Sequence, residues 1–233
     1  MKKIIAVALM FAVYMIPLRA AQYIAVPFTH VAASVNWTNP HFTYLDCSGS
    51  SACVVTIPST TAGNALVAAA ITGLTTGNPA TTGSGGGTWV HPTGCSAFAG
   101  PGSIDFLYLL SVTGGTTSVT INVTTSNAFY GVAIWEVSRG TGTAAYDTCN
   151  TATTSTCTTC ATPTLTFTGS NDAVFEGGNP DQNISAISGT GYSFDTNSDD
   201  LGLGHGLNIT TGASVNWTQS PTGLVTESAL SLK

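Results

Sequence analysis

Charge is what this sequence lacks. Only 7% of its 233 residues are Asp, Glu, Lys or Arg, where a soluble domain carries about 25%. With five Lys and Arg in all, a nucleic-acid binder is excluded, because phosphate neutralisation needs cations. So is a helical bundle or long coiled coil, which is built from Glu, Lys and Arg. Apolar runs long enough to cross a bilayer are missing beyond the first residues. There is no G-x-S-x-G elbow for a serine hydrolase and no phosphate loop, since Gly83–Gly87 lacks the lysine and the following helix. Disorder of the charged kind is excluded too, because 43% of the residues are hydrophobic. Thr and Ser fill the place of charge, with 39 and 22 residues.

The first 21 residues read as a secretory signal peptide. Lys2 and Lys3 precede an apolar run from Ile4 to Leu18, and Ala20 and Ala21 offer a cleavage point. Its loss would remove Lys2, Lys3 and Arg19, leaving Arg139 and Lys233 against eleven acids, a net charge of 2 − 11 = −9. The mature chain is expected to be secreted or cell-surface, with no membrane span and no affinity for nucleic acid or anionic lipid.

Six cysteines in an exported chain imply disulfides. Cys47 and Cys53 flank a tight turn and pair; Cys95, Cys149, Cys157 and Cys160 are left for two more bridges, one arrangement being Cys95 with Cys149 and Cys157 with Cys160. The rival for the last pair is a metal site on Cys157-Thr-Thr-Cys160, which lacks the second ligand pair zinc needs.

From residue 22 on, the chain reads as short strands between turn clusters, hence a single all-β domain over 22–233: an antiparallel β-sandwich with little or no helix. Val119–Thr124 alternates apolar and polar; Ile104–Val112 and Ala128–Val137 are apolar throughout, as strands of a sandwich core. Asn64–Ile71 reads as a buried strand and Asn150–Thr162, low in complexity, as a disulfide-held loop near 149–162. Ala33-Ser-Val-Asn-Trp-Thr38 recurs as Ala213-Ser-Val-Asn-Trp-Thr218, readable as two equivalent strands that each present a tryptophan.

Several segments, in order, resemble a group of secreted bacterial β-sandwich proteins. Thr61-Ala-Gly-Asn-Ala-Leu-Val67 is similar to its "TAGNLLV" strand. Gly114-Gly-Thr-Thr-Ser-Val-Thr120, Trp135-Glu-Val-Ser138, Asn171-Asp172, Gly191-Tyr192 and Trp217-Thr-Gln-Ser220 follow as its hairpin, strand and turn signatures. The resemblance covers about Val54–Leu232 and implies a jelly-roll-like sandwich, exported, with no assigned activity. The six cysteines and the stretch Tyr23–Ser51 depart from that pattern.

Chemistry is sparse. The four histidines are scattered, and no strand carries two carboxylates two residues apart, as a glycosidase acid pair on one strand requires. Glu136 is expected to pair with Arg139. Asp195, Asn197 and Asp199 stand at positions 1, 3 and 5 of a loop, the opening of a calcium motif, but Asp200 and Gly206 replace its glycine and glutamate. Trp37 and Trp217 lie between Asn and Thr, where an exposed indole would stack on a sugar and a buried one would fill the core. The expected function is therefore a non-catalytic binding module, for extracellular glycans first. The alternative is a self-assembling surface or fibre protein (homo-oligomer), and a glycoside hydrolase comes third. No cofactor is expected beyond a structural calcium.

Overall fold

The computed structural model describes residues 36–74, 81–100, 102–123, 129–180, 182, 184–196, 201–210 and 216–233. They belong to one compact unit. The expected signal peptide, Asn197 and Asp199 lie outside the described residues.

All described elements are strands, in antiparallel sheets. The central sheet has the order β1 (Trp37–Asp46), β8 (Tyr130–Arg139), β3 (Ala65–Thr72), β6 (Gly102–Leu109), β5 (Ser96–Ala99). A second sheet runs β11 (Ile184–Ser188), β14 (Asn216–Leu232), β10 (Asp172–Pro180), β13 (Gly202–Ile209), β12 (Tyr192–Thr196), with β9 (Tyr146–Ala161) on the other edge of β14. A small third sheet is β2 (Ala52–Thr56), β7 (Ser118–Asn122), β4 (Thr82–Ser84).

The central sheet is covered on both faces, so its strands read as unbroken apolar runs instead of alternating. Val67, Ala69 and Ile71 of β3 pack with Phe106, Trp135, Phe175 and Leu230 toward the second sheet. Leu66, Ala68 and Ala70 pack with Leu107, Val132, Val119 and Ile121 toward the third. The alanines of β3 favour no helix here: every residue of the strand is buried, and their small size lets two layers approach it. The third sheet has one wet face, hence the alternation of β2, with Cys53 and Val55 inside and Val54 59% exposed.

The disulfides are Cys47–Cys53, the pair read from its tight turn, together with Cys95–Cys149 and Cys157–Cys160, the one arrangement named for the four cysteines whose pairing the sequence leaves open. The region near 149–162, however, is not a loop. It is the body of β9, a 16-residue strand paired with β14 from Leu232 back to Asn216. Its threonines are β-branched and suit an extended edge, while Thr, Ser, Ala and Cys have too little contrast in hydropathy to show the alternation.

Both tryptophans of the repeated hexapeptide are buried, Trp37 at 2% exposure and Trp217 at 0%. This corrects their candidacy as exposed ligand-binding residues. They also are not equivalent: β1 is an edge of the central sheet, whereas β14 lies inside the second. The Trp37 indole donates to Asn171 O at 2.8 Å, and Arg139 sits 6.0 Å over its ring. The Trp217 indole lies against Gly202, where a Cβ would stand 2.9 Å from two ring carbons, so only glycine fits beneath it.

Candidate functional site

Three polar clusters contain the chemistry-bearing side chains. The first surrounds Asp105 of β6. It is fully buried and accepts hydrogen bonds from Ser96 Oγ (2.6 Å) and from Thr81 Oγ1, with His91 Nε2 at 2.6 Å. One carboxylate thus ties β5, β6 and the residue leading into β4. The Asp105 hydrogen bond holds His91 above the usual imidazole range, against the opposing effect of burial. The trio Ser96, His91 and Asp105 has the composition of a catalytic triad but not its wiring. A triad sets the serine and the acid on opposite ring nitrogens. Here Nε2 faces both Asp105 and Ser96 Oγ (3.1 Å), and the hydroxyl donates to the carboxylate.

The second cluster bridges the two main sheets. His205 lies on β13 with the parity of Leu203 and Leu207, which face the central sheet. Its Nδ1 is 2.9 and 2.8 Å from the two Asp195 oxygens, and Trp135 Nε1 donates to Asp195 Oδ2 at 2.7 Å. Asn39 closes the other side of the ring, 3.4 Å from Nε2. Asp195 therefore turns inward to a histidine and an indole, while Asn197 and Asp199, its companions in the expected calcium motif, lie outside the described residues. Among the described residues no group of three or more His, Cys, Asp and Glu is arranged to hold a metal.

Glu136 also departs from expectation. It accepts from Thr61 N (2.9 Å) and Asn64 Nδ2 (2.6 Å), while Arg139 donates to Thr143 O (2.5 Å). The two side chains do not pair, because β8 alternation sends Glu136 to the turn before β3 and leaves Arg139 at the strand end.

The third cluster lies on the outer face of the second sheet. Asp172 and Glu176 of β10 share the parity of Val174, and Glu227 of β14 shares that of Ala229; both apolar residues pack under Leu165. Segment 162–168 covers them as a strap, anchored where Thr168 N donates to Asp147 Oδ2 at 2.8 Å and Asn150 Nδ2 to Thr164 O at 3.0 Å. Glu176 opposes Ala229 and Glu227 opposes Gly178, so the two glutamates are diagonal neighbours across one strand pair. All three acids are 0% exposed.

No oxygen of Glu176 or Glu227 has a hydrogen-bonding partner of ordinary geometry, although Thr162 stands beside Glu176. Burial pushes Glu176 well above the carboxylate range, with the charge of Glu227 adding to it, and pushes Glu227 to about 8. Burial also raises Asp172, to about 7, helped by the neighbouring Asp147. Asp147 is the extra residue of a bulge where Ser231 faces Thr148 and Leu232 faces Tyr146. Burial would raise it as well, but hydrogen bonds from Thr168, Asp172 and Lys233 hold it down at about 2. Lys233 Nζ is 3.2 Å from Asp147 Oδ1.

Glu176 and Glu227 are the carboxylate pair that a search along single strands misses, since they are brought together by β10–β14 pairing. Burial raises both and so favours their protonated forms, whereas glycoside hydrolysis by a carboxyl pair needs one of them ionised. A separate cleft of about 360 Å³ opens on the edge of the central sheet, lined by Thr88, Val90, Tyr108, Leu109, Leu110 and Ser111.

In comparisons with family models, with curated proteins and with solved structures, nothing matches this chain.

Proposed function

We propose that the chain is an exported, non-catalytic structural module that contributes to an extracellular assembly. The observation that carries this reading is the use made of its reactive side chains. Asp105, Asp195 and Glu136 each tie strands or layers together through their hydrogen bonds. Three disulfides in a chain with an apparent signal peptide support export. Sedimentation velocity of the mature protein over a hundredfold concentration range tests the reading. Reversible, concentration-dependent association is the expected result. A monomer throughout, or hydrolysis of any glycan in a polysaccharide panel that depends on Glu176 or Glu227, overturns it.

Glycan binding stays as a second reading on one observation, the 360 Å³ cleft with three hydroxyl side chains, Thr88, Tyr108 and Ser111, and a 40% exposed Val90 at its rim. Its size is at the low end for small-ligand sites. A Val90→Asp variant that loses polysaccharide binding while keeping its fold would favour this reading.

A further inference from the structure

We propose that β9 is an association edge and that its partner is the β9 of a second copy of this chain, paired antiparallel about a two-fold axis. This inference rests on the structural reading above and says which surface assembles.

The strand has two edges and one neighbour. It pairs with β14 along its length, and among the described residues no strand pairs with its other edge. An open edge presents a row of unpaired N–H and C=O groups, which natural sheets guard by shortness, lysine, proline or bulges. The other sheet-end strands are guarded: β5 has four residues, β12 and β11 five, β2 five and β4 three. The ten residues of β1 include Pro40 and a register shift between Thr38 and His41. Only β9 is long, at 16 residues, and from Thr148 to Ala161 it holds no charge and no proline.

Charge selects the partner. The chain carries eleven acids against five Lys and Arg, so two copies repel over most of their surface, and the repulsion is least along a segment without charge. Self-pairing is isologous: each strand uses the same donors and acceptors, and the symmetry closes at a dimer. Thr148, Thr151 and Thr153 of β9 supply β-branched side chains for cross-strand contacts. The edge is interrupted at Thr156, whose φ is 46°, and by the Cys157–Cys160 bridge. The pairing segment is therefore Thr148–Thr154, the length of an ordinary strand. A pair centred on Thr151 sets Asn150 opposite Ala152 and Cys149 opposite Thr153.

Two measurements on the full mature chain decide it. Hydrogen exchange at low and high protein concentration reads the edge without mutation: alternate amides within Thr148–Thr154 gain protection in the associated state. Thr151→Lys/Thr153→Lys installs the guard that natural edges use and should weaken the dimer at least tenfold in sedimentation, whereas Thr151→Val/Thr153→Val should leave it intact. A dimer whose affinity the lysines do not change, or whose protection falls outside β9, overturns this inference and leaves the structural reading standing. Protection of β9 together with residues 22–35 puts the chain's own amino-terminal segment on that edge and likewise overturns it. A wild-type monomer at every concentration removes both.

Discussion

Asp105 and Glu176 are both acids at 0% exposure in the middle of covered sheets, yet they are opposite objects. Asp105 is surrounded by three donors on other elements. Glu176 has Thr162 beside it, a second acid diagonal to it, and no ordinary hydrogen bond. Burying an ion is costly unless it is paired; an unpaired carboxyl keeps its proton instead. The inner acids fasten layers through hydrogen bonds, while burial without such donors favours the neutral form of the outer ones.

The sharpest way to break the comparison is Asp105→Ala. It strands a threonine, a serine and a histidine at once, and at about 1–3 kcal/mol per unsatisfied buried group the loss should be about 5 kcal/mol in denaturant unfolding. A loss below about 1 kcal/mol would show that the cluster holds nothing. On the outer face, Trp217→Ala should cost about 4 kcal/mol, because its indole fills the space left by Gly178, the residue opposite Glu227, and by Gly202. A variant as stable as the parent would return Trp217 to the list of ligand-facing residues.

Glu176→Gln with Glu227→Gln separates the two kinds of acid. Near pH 5 the substitution should change stability little, since the native carboxyls are already neutral. At pH 9 it should stabilise by about 4 kcal/mol or more, since Glu227 alone is lifted from 4.5 to about 8 and the parent must then ionise or keep its proton at a cost. The smallest effect belongs to His91, raised by Asp105. Its contribution is fully present below the unfolded imidazole value of about 6.5 and is lost as pH rises through the folded value. The gap between parent and His91→Gln should be about 1 kcal/mol at pH 5.5 and close to zero at pH 9.

How much of this was legible in the sequence follows from what each strand touches. The apolar runs of β3, β6 and β8 and the alternation of β2 carry the all-β class and the sandwich, because burial on two faces or one leaves a direct mark on hydropathy. The short spacing of Cys47 and Cys53 carries their bridge, while the pairing of the other four cysteines depends on contacts between distant segments. The third sheet was not legible, since β4 has three residues and β7 alternates like any half-buried strand. Nor was β9, an edge strand with only Thr, Ser, Ala, Asn and Cys beyond Asp147. The acid clusters stayed hidden for a different reason. Glu176 meets Glu227, and His91 meets Asp105, through antiparallel pairing and loop return that no local pattern encodes. The two tryptophans carried no mark either way, because Asn and Thr flank both wet and dry strands.

The central claim is that the outer carboxyls Asp172, Glu176 and Glu227 are buried as neutral acids. Asp172, lifted from the usual 3.8 to about 7, and Glu227, lifted from 4.5 to about 8, hold protons that the unfolded chain has released. Their stabilising contribution is complete below the unfolded values and declines as pH rises toward the folded ones. Asp147, held at about 2, acts in reverse and loses its contribution only as pH falls through that value. Calorimetric unfolding of the mature protein from pH 3 to pH 9 measures the sum directly. The account predicts a melting temperature highest near pH 4–5 and falling steadily to pH 9, with a shallower fall in Glu176→Gln/Glu227→Gln. A melting temperature that is flat or rises from pH 5 to pH 9, equally in both proteins, would contradict it.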